Sequence, residues 1–88
     1  MTASELLPKI KAVKNLTGSY HDERLMPCIE EVLDFLHDAG VKDKYITVGI
    51  VARGVSDLYD VPNGELSAYF IQRTKQLSLK EDDADVQA

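Results

Sequence analysis

Apolar residues recur at steps of three and four positions along most of this chain, which is the spacing of one face of an α-helix. The first such run predicts a helix over residues 4–16, or one that already frays at Val13 and Lys14, with Ser4 as its N-cap. Pro8 is compatible with this helix only near the first turn, where its missing N–H has no partner within the helix. Residues 17–19 (Thr-Gly-Ser) break the pattern and end the predicted helix.

The second apolar run has the clearest helical pattern in the chain. It predicts a helix from Glu23 to Ala39, with Asp22 as the N-cap and Gly40 in the left-handed conformation that often follows a last turn. Pro27 lies early in this segment and indicates either a slightly later start or a bend in the first turn. The apolar stripe consists of Leu25, Ile29, Val32, Leu33 and Leu36, while Glu30, Glu31, Asp34 and Asp38 lie mostly off it.

The third segment supports two interpretations. Residues 45–51 (Tyr-Ile-Thr-Val-Gly-Ile-Val) are rich in β-branched side chains, which favour a strand. The apolar positions nevertheless continue at helical spacing, and no other run reads as a partner strand. We favour a helix from Lys44 to Leu58 and keep the strand as the alternative. Gly49 and Gly54 each cost about 1 kcal/mol of helix propensity relative to alanine, which is easiest to understand where another helix or subunit comes close.

The remaining residues predict a turn, a fourth helix and a tail. Residues 60–64 (Asp-Val-Pro-Asn-Gly) have the composition of a turn. A helix follows, either capped by Ser67 or beginning at Glu65, and runs to Leu79. Residues 80–88 are polar and acidic without periodicity, so we expect a disordered tail. The sequence therefore predicts an all-α fold, a small bundle of about four helices in one domain over residues 1–79, followed by a disordered acidic C-terminal tail.

The length of the chain limits how much apolar surface it can bury. A domain of 88 residues has a modest core and usually gains stability from disulfides, a metal or association. Cys28 is the only cysteine, so no disulfide can form within the chain. His21 and His37 lie sixteen positions apart without paired cysteines, which argues against a metal site. Because self-association remains, we expect the protein to assemble with copies of itself.

The charge distribution separates the predicted helical domain from the tail. The net charge is −5, and residues 80–88, with four acids and one lysine, contribute −3, which leaves −2 for residues 1–79. Such a domain lacks the clustered Lys and Arg that grip nucleic acid regardless of sequence, although nucleic acid could pass it without being held. No apolar stretch is long enough to cross a bilayer, and no basic region precedes an apolar run at the start, so we expect neither a membrane span nor a secretory signal.

No arrangement of reactive side chains predicts catalysis. Cys28 lies beside the apolar stripe of the second helix, where a small hydrophobic residue is far more common than a nucleophile. His37 lies near the end of that helix, where a positive charge suits the helix dipole, and His21 lies in a turn. The adjacent carboxylates Glu30 and Glu31 point in different directions on a helix and do not form a catalytic pair. We therefore predict that the protein is not an enzyme and uses no metal or cofactor.

Five residues are candidates for contacts with other subunits. Arg53 lies on a largely apolar helix, where it either pairs with an acid on another helix or subunit or is simply exposed. Tyr59 and Tyr69 are candidates because tyrosine brings apolar area and one polar group to an interface, although a core ring with a satisfied hydroxyl is an equally good interpretation. Gly49 and Gly54 are candidates because their helix is apolar on more than one side and glycine permits a close approach.

Five segments follow one another in a distinctive order. The first helix has a Lys-rich end, the second has an acidic start and closes at a glycine, the third has small and β-branched residues, and the last contains a Tyr-Phe pair. These segments are residues 7–14, 21–25, 29–41, 46–55 and 69–79. In this order and apolar texture, residues 5–79 resemble the small head–tail connector (adaptor) proteins of tailed bacteriophages, including prophage copies. Pro27 and the short link before the fourth helix depart from the family's pattern and bear on how the helices pack.

The resemblance implies a structural function. Proteins of this family are all-helical and form rings under the portal. The resemblance to the family therefore also implies a dodecamer. The ring extends the channel through which DNA leaves the head, without binding it specifically, and joins the portal protein to a tail-side connector or completion protein. The implied location is the head–tail interface of the virion, after assembly in the cytoplasm of the bacterial host. The alternative is a small helical protein–protein interaction module with a regulatory role, which binds one partner helix in a groove.

Overall fold

The computed structural model describes residues 1–60 and 64–80. In this part of the chain the regular structure consists of four α-helices and one short 3-10 helix, without a strand. Helix α1 spans Ala3–Val13, α2 spans Asp22–Asp38, the 3-10 helix spans Asp43–Tyr45, α3 spans Val48–Tyr59 and α4 spans Ala68–Ser78. The predicted all-α fold is confirmed, and the strand alternative for the third segment is wrong. The predicted disordered tail lies outside the described residues from residue 81 onward, as do residues 61–63 of the predicted turn.

Helix α1 begins earlier than predicted because Thr2, rather than Ser4, is its N-cap. The backbone N–H of Glu5 donates to Thr2 Oγ1 at 3.2 Å, and the backbone N–H of Thr2 donates to Glu5 Oε1 at 2.9 Å. This capping box satisfies two backbone donors at once, and the bond from the Thr2 backbone lowers the pKa of Glu5. Pro8 consequently lies in the second turn of α1, further into the helix than expected.

Helices α1 and α2 each end at a residue with positive φ. Asn15 follows α1 with φ 60°, and Gly40 follows α2 with φ 89°. Beyond Gly40, the Val41 N–H donates to the Leu36 carbonyl at 3.0 Å, which is the bond that defines a Schellman motif. The predicted conformation of Gly40 is therefore confirmed. Helix α1 ends at Val13, as in the predicted alternative and before Leu16, because the chain already turns at Asn15.

The start of helix α2 differs from the prediction. The helix includes Asp22, and the cap position is occupied by His21, which makes no side-chain capping hydrogen bond. The Asp22 carboxylate instead lies 2.8 Å from Lys11 Nζ of α1. An ion pair between two helices thus replaces the expected cap. Pro27 lies in the second turn of α2, so the proline marks neither a later start nor a first-turn position.

Hydroxyl caps define the starts of α3 and α4. Thr47 Oγ1 accepts a hydrogen bond from the Ile50 N–H at 3.3 Å, and Thr47 itself is extended. The predicted start at Lys44 is therefore wrong, because a 3-10 helix occupies that part of the chain. Ser67 Oγ accepts from the Phe70 N–H at 3.1 Å, which confirms the predicted Ser67 cap.

The core is formed by the apolar faces of all four helices, and the most extensive packing joins α2 to α3. Gly54 of α3 is packed closely by side chains of α2 and α4. A Cβ added to this glycine would lie 2.8 Å from Phe70 Cε1 and 3.0 Å from Val32 Cγ1, so α4 and α2 both press against it. The buried apolar residues are Leu6, Ile10, Leu25, Ile29, Val32, Leu33, Leu36, Val41, Ile46, Val51, Ala52, Val55, Phe70 and Leu77.

Candidate interaction surface

Arg53 and Tyr69 form a cation–π pair on the outside of the helical domain. Arg53 is exposed on the side of α3 that faces away from the core, and its guanidinium carbon lies 4.5 Å from the centre of the Tyr69 ring. Tyr69 belongs to the first turn of α4 and is 55% exposed. Within residues 1–60 and 64–80, no carboxylate lies at ion-pair distance from Arg53. The guanidinium therefore presents N–H donors to solvent.

Further residues extend this pair into a larger surface between α3 and α4. A shallow hollow of about 220 Å³ is lined by Thr47, Gly49, Ile50, Arg53, Tyr69 and Arg73. A second hollow of about 260 Å³ along α4 is lined by Tyr69, Gln72, Arg73 and Gln76. We define the Arg53–Tyr69 surface as Gly49, Ile50, Arg53, Tyr69 and Arg73. Its two guanidinium groups and one exposed aromatic ring suit a partner that presents carboxylates, because arginine binds carboxylates through paired N–H donors.

Tyr59 lies in a different cluster, where the connection between α1 and α2 meets the end of α3. Its hydroxyl forms a hydrogen bond with His21 Nδ1, and the Arg24 guanidinium carbon lies 5.1 Å from the centre of its ring. Lys14 Nζ lies 5.7 Å from the same ring centre and forms an ion pair with Asp60 at 2.6 Å. The half-buried ring and its hydroxyl thus have partners within the chain. Tyr59 does not line the hollows of the Arg53–Tyr69 surface.

The two glycines of α3 have different surroundings. Gly54 is buried against Phe70, so the close approach expected at this glycine is made by helices of the same chain. Gly54 is therefore not accessible for contact with a neighbouring copy. Gly49 is exposed near the start of α3. Three of the five predicted interface residues therefore come together in the structure: Gly49, Arg53 and Tyr69.

The exposed side of α2 carries mostly acids, together with Arg24 and His37. Five exposed acids lie between about a third and about half of a helical turn from the centre of the buried stripe. None of them forms an ion pair within the described part of the chain. The apolar periodicity places most of these acids off the buried stripe but predicts no contact for them. We define the acidic α2 face as Glu23, Glu30, Glu31, Asp34 and Asp38.

The side chains with reactive groups have ordinary environments. Cys28 is half-buried, and burial raises the pKa of its thiol, which keeps the thiol protonated at neutral pH. His37 Nε2 lies 2.8 Å from Asp43 Oδ1, and this hydrogen bond lowers the pKa of Asp43. Among the described residues, no group of three or more His, Cys, Asp or Glu side chains is arranged to hold a metal ion. None of the helices in these ranges is long and apolar enough to cross a membrane.

Ile50 and Arg73 are the members of the surface that were not predicted from the sequence, and Arg73 lies three residues after the buried Phe70, which places it near the core side of α4. In the structure Arg73 is half-buried at the edge of that face and lines both hollows. A signal for its role is present in the sequence, since Arg73 follows Tyr69 by four residues and the two therefore share one strip of the helix. Ile71 and Leu79 of the same region are 48% and 71% exposed, which the periodicity does not reveal either.

The geometry thus brings Arg53, Tyr69 and Arg73 together on the outside of the helical domain. Comparisons of the chain with protein-family models, with curated proteins and with solved structures find no match. The Arg53–Tyr69 surface and the acidic α2 face are accordingly the features of the molecule that bear most directly on function.

Proposed function

We propose that this protein is a structural virion subunit that forms a ring between the portal and the tail of a tailed bacteriophage. The ring extends the channel through which DNA leaves the head and joins head to tail. The partners are further copies of the chain, the portal protein and a tail-side connector or completion protein. Assembly takes place in the cytoplasm of the bacterial host, and the final location is the head–tail interface.

The observation that carries the proposal is the Arg53–Tyr69 surface on a small all-α domain whose helices follow the order typical of connector proteins. Arginine and tyrosine are among the residues most enriched at the energetic centres of protein interfaces. The exposed Ile71 adds apolar area on the same helix. Because the core of so short a chain is small, neighbouring copies stabilise it by burying more apolar surface, at about 25 cal/mol per Å².

The charge of the domain suits a channel for DNA. Residues 1–79 carry a net charge of −2, and the tail adds further negative charge. Negative charge repels the phosphate backbone, whereas proteins that hold DNA neutralise phosphates with clustered Lys and Arg. DNA therefore passes through such a ring without being retained.

The regulatory alternative requires an apolar groove that accepts one partner helix. The two hollows that Tyr69 lines are shallow and lined largely by polar side chains, including Gln72, Arg73 and Gln76. A third hollow of about 300 Å³ on the other side of Arg53 is more apolar, but Ser56, Asp57 and Arg53 itself line part of it. A polar, cationic surface of this kind supports docking of another charged subunit better than capture of an apolar helix.

Size-exclusion chromatography with multi-angle light scattering tests the proposed function. The purified chain is measured over a wide range of concentrations, alone and with a portal protein from the same genome. A closed oligomer, visible as a ring by negative-stain electron microscopy, is the expected result. A chain that remains monomeric under all of these conditions refutes the proposal.

A further inference from the structure

We propose that neighbouring copies of this chain pair head to tail, with the acidic α2 face of one copy docked on the Arg53–Tyr69 surface of the next. The inference rests on the proposed function and specifies which two surfaces meet between subunits. One surface supplies carboxylates, and the other supplies two guanidinium groups and a tyrosine ring.

The two surfaces point away from each other within one subunit. Helices α2 and α3 pack against each other through their buried sides, and Val32 of α2 lies against Gly54 of α3. Asp34 lies about half a turn from the centre of the buried stripe of α2, and Glu30 lies about a third of a turn from it. Arg53 lies about half a turn from the buried Val55 of α3. One copy therefore cannot pair its own two surfaces, and their pairing joins different copies.

Within residues 1–60 and 64–80, no ion pair neutralises either surface. The ion pairs of the described part of the chain are Lys11–Asp22, Lys14–Asp60 and His37–Asp43, and none of these residues belongs to either surface. Among the described residues, Arg53 stacks on the Tyr69 ring, and Asp57, which lines one hollow together with it, forms no ion pair with it. The charges of both surfaces are thus available for contacts between copies.

The spacing of the groups on the two surfaces is compatible with a helix lying across the hollow between α3 and α4. Glu30, Asp34 and Asp38 recur every four residues, which places neighbouring side chains about 5–6 Å apart along α2. Arg73 follows Tyr69 by the same four residues, and Arg53 stacks on that tyrosine. Successive carboxylates of α2 can therefore meet successive donors along the hollow, with arginine–carboxylate pairs in bidentate geometry.

Head-to-tail pairing has a structural consequence. Because the two surfaces differ, each copy has one of each and the contact can repeat from copy to copy. A contact of this kind produces a ring when the rotation between copies closes, and a filament when it does not. The acidic α2 face is favoured as the occupant over DNA because it is present once per copy and because the whole chain is negatively charged.

Charge reversal followed by restoration tests the inference. Arg53→Glu with Arg73→Glu makes the Arg53–Tyr69 surface acidic. Glu30→Lys with Asp34→Lys and Asp38→Lys makes the α2 face basic, because three lysines then outnumber Glu23 and Glu31. Each variant is expected to weaken self-association by about tenfold or more in sedimentation experiments at low salt. An equimolar mixture of the two variants is expected to associate again, because every α2 face then meets a surface of opposite charge.

Matched controls separate the contact from net charge and from folding. Lys9→Glu with Lys75→Glu changes the net charge as much as the arginine variant, at exposed positions outside both surfaces, and is expected to leave association unchanged. Circular dichroism of each variant checks that the helices are retained. Removal of residues 81–88 is also expected to leave association unchanged.

The outcomes distinguish this inference from the proposed function. A wild-type chain that assembles while the reversals have no effect, or a mixture that fails to restore assembly, overturns the inference alone. Loss of assembly on removal of residues 81–88 also overturns it, because the tail is then the acidic occupant. The inference is also overturned if the arginine reversals abolish DNA binding, measured by fluorescence anisotropy, and leave assembly intact. A wild-type chain that is monomeric throughout overturns both.

Discussion

Replacement of Gly54 by alanine tests how closely α3 packs against α4 and α2. The added Cβ would lie 2.8 Å from Phe70 Cε1 and 3.0 Å from Val32 Cγ1, so the neighbouring side chains must move. Overpacking of this kind costs about 1–3 kcal/mol, and removal of a helical glycine returns up to about 1 kcal/mol. We expect Gly54→Ala to lower the free energy of unfolding by about 1 kcal/mol, and Gly54→Val to lower it further.

Gly49→Ala is the matched control, because it makes the same substitution in the same helix. The nearest atom to a Cβ at Gly49 is Thr47 Oγ1 at 3.8 Å, an ordinary contact distance. This variant is expected to gain up to about 1 kcal/mol, so the two alanine variants should differ by about 1–3 kcal/mol. Urea denaturation at one fixed protein concentration measures the difference, since self-association also changes apparent stability. In thermal unfolding, each 1 kcal/mol corresponds to a shift of about 4–8 °C in Tm.

A double-variant cycle with Phe70→Leu identifies the neighbour that is responsible. Leucine at position 70 removes the ring carbons that approach Gly54, so Gly54→Ala should cost less in that background, by about 1 kcal/mol. Close packing of Gly54 against Phe70 is refuted if Gly54→Ala is as stabilising as Gly49→Ala. It is also refuted if the effects of Gly54→Ala and Phe70→Leu on the free energy of unfolding are strictly additive.

Three further predictions concern local contacts. Thr2→Ala removes the capping box of α1 and should lower the free energy of unfolding by about 1 kcal/mol in urea denaturation. The control Thr17→Ala, at an exposed residue outside the helices, should have little effect. Equal effects of the two substitutions would contradict the cap. His37→Ala should raise the pKa of Asp43 towards its ordinary value, and an unchanged Asp43 pKa in an NMR titration would contradict the contact. Because the pKa of Asp43 is lowered in the fold, the contact stabilises the fold above the ordinary pKa and this stabilisation is lost as the pH falls through the lowered pKa. The stability of the variant should therefore differ least from that of the wild type in strong acid. Cys28 should react with iodoacetamide at neutral pH more slowly in the native chain than in the urea-unfolded chain, and equal rates would argue against its raised pKa.

The sequence by itself determines the fold class and several helix ends. The periodicity of three and four identifies four helices, and the capping Ser67 and the positive φ of Gly40 depend only on residues a few positions away. The starts of α1 and α2 are less predictable because several nearby residues compete for the cap. Thr2 is favoured over Ser4 by its reciprocal bond with Glu5, and Asp22 pairs with Lys11 instead of capping α2. The pairing of Asp22 depends on a contact with another helix.

The tertiary structure alone decides which neighbouring element covers each part of a helix and which residues stay exposed. Gly49 and Gly54 are both glycines of the same predicted helix, yet Gly49 is exposed and Gly54 is enclosed by Phe70. Arg53 and Tyr69 belong to different helices and meet only because α4 packs alongside α3. Periodicity gives the direction of a side chain around its own helix, whereas the contacts between helices depend on how their ridges and grooves fit together. The all-α fold can therefore be predicted from the chain, while the surface available to a partner is known only from the packing.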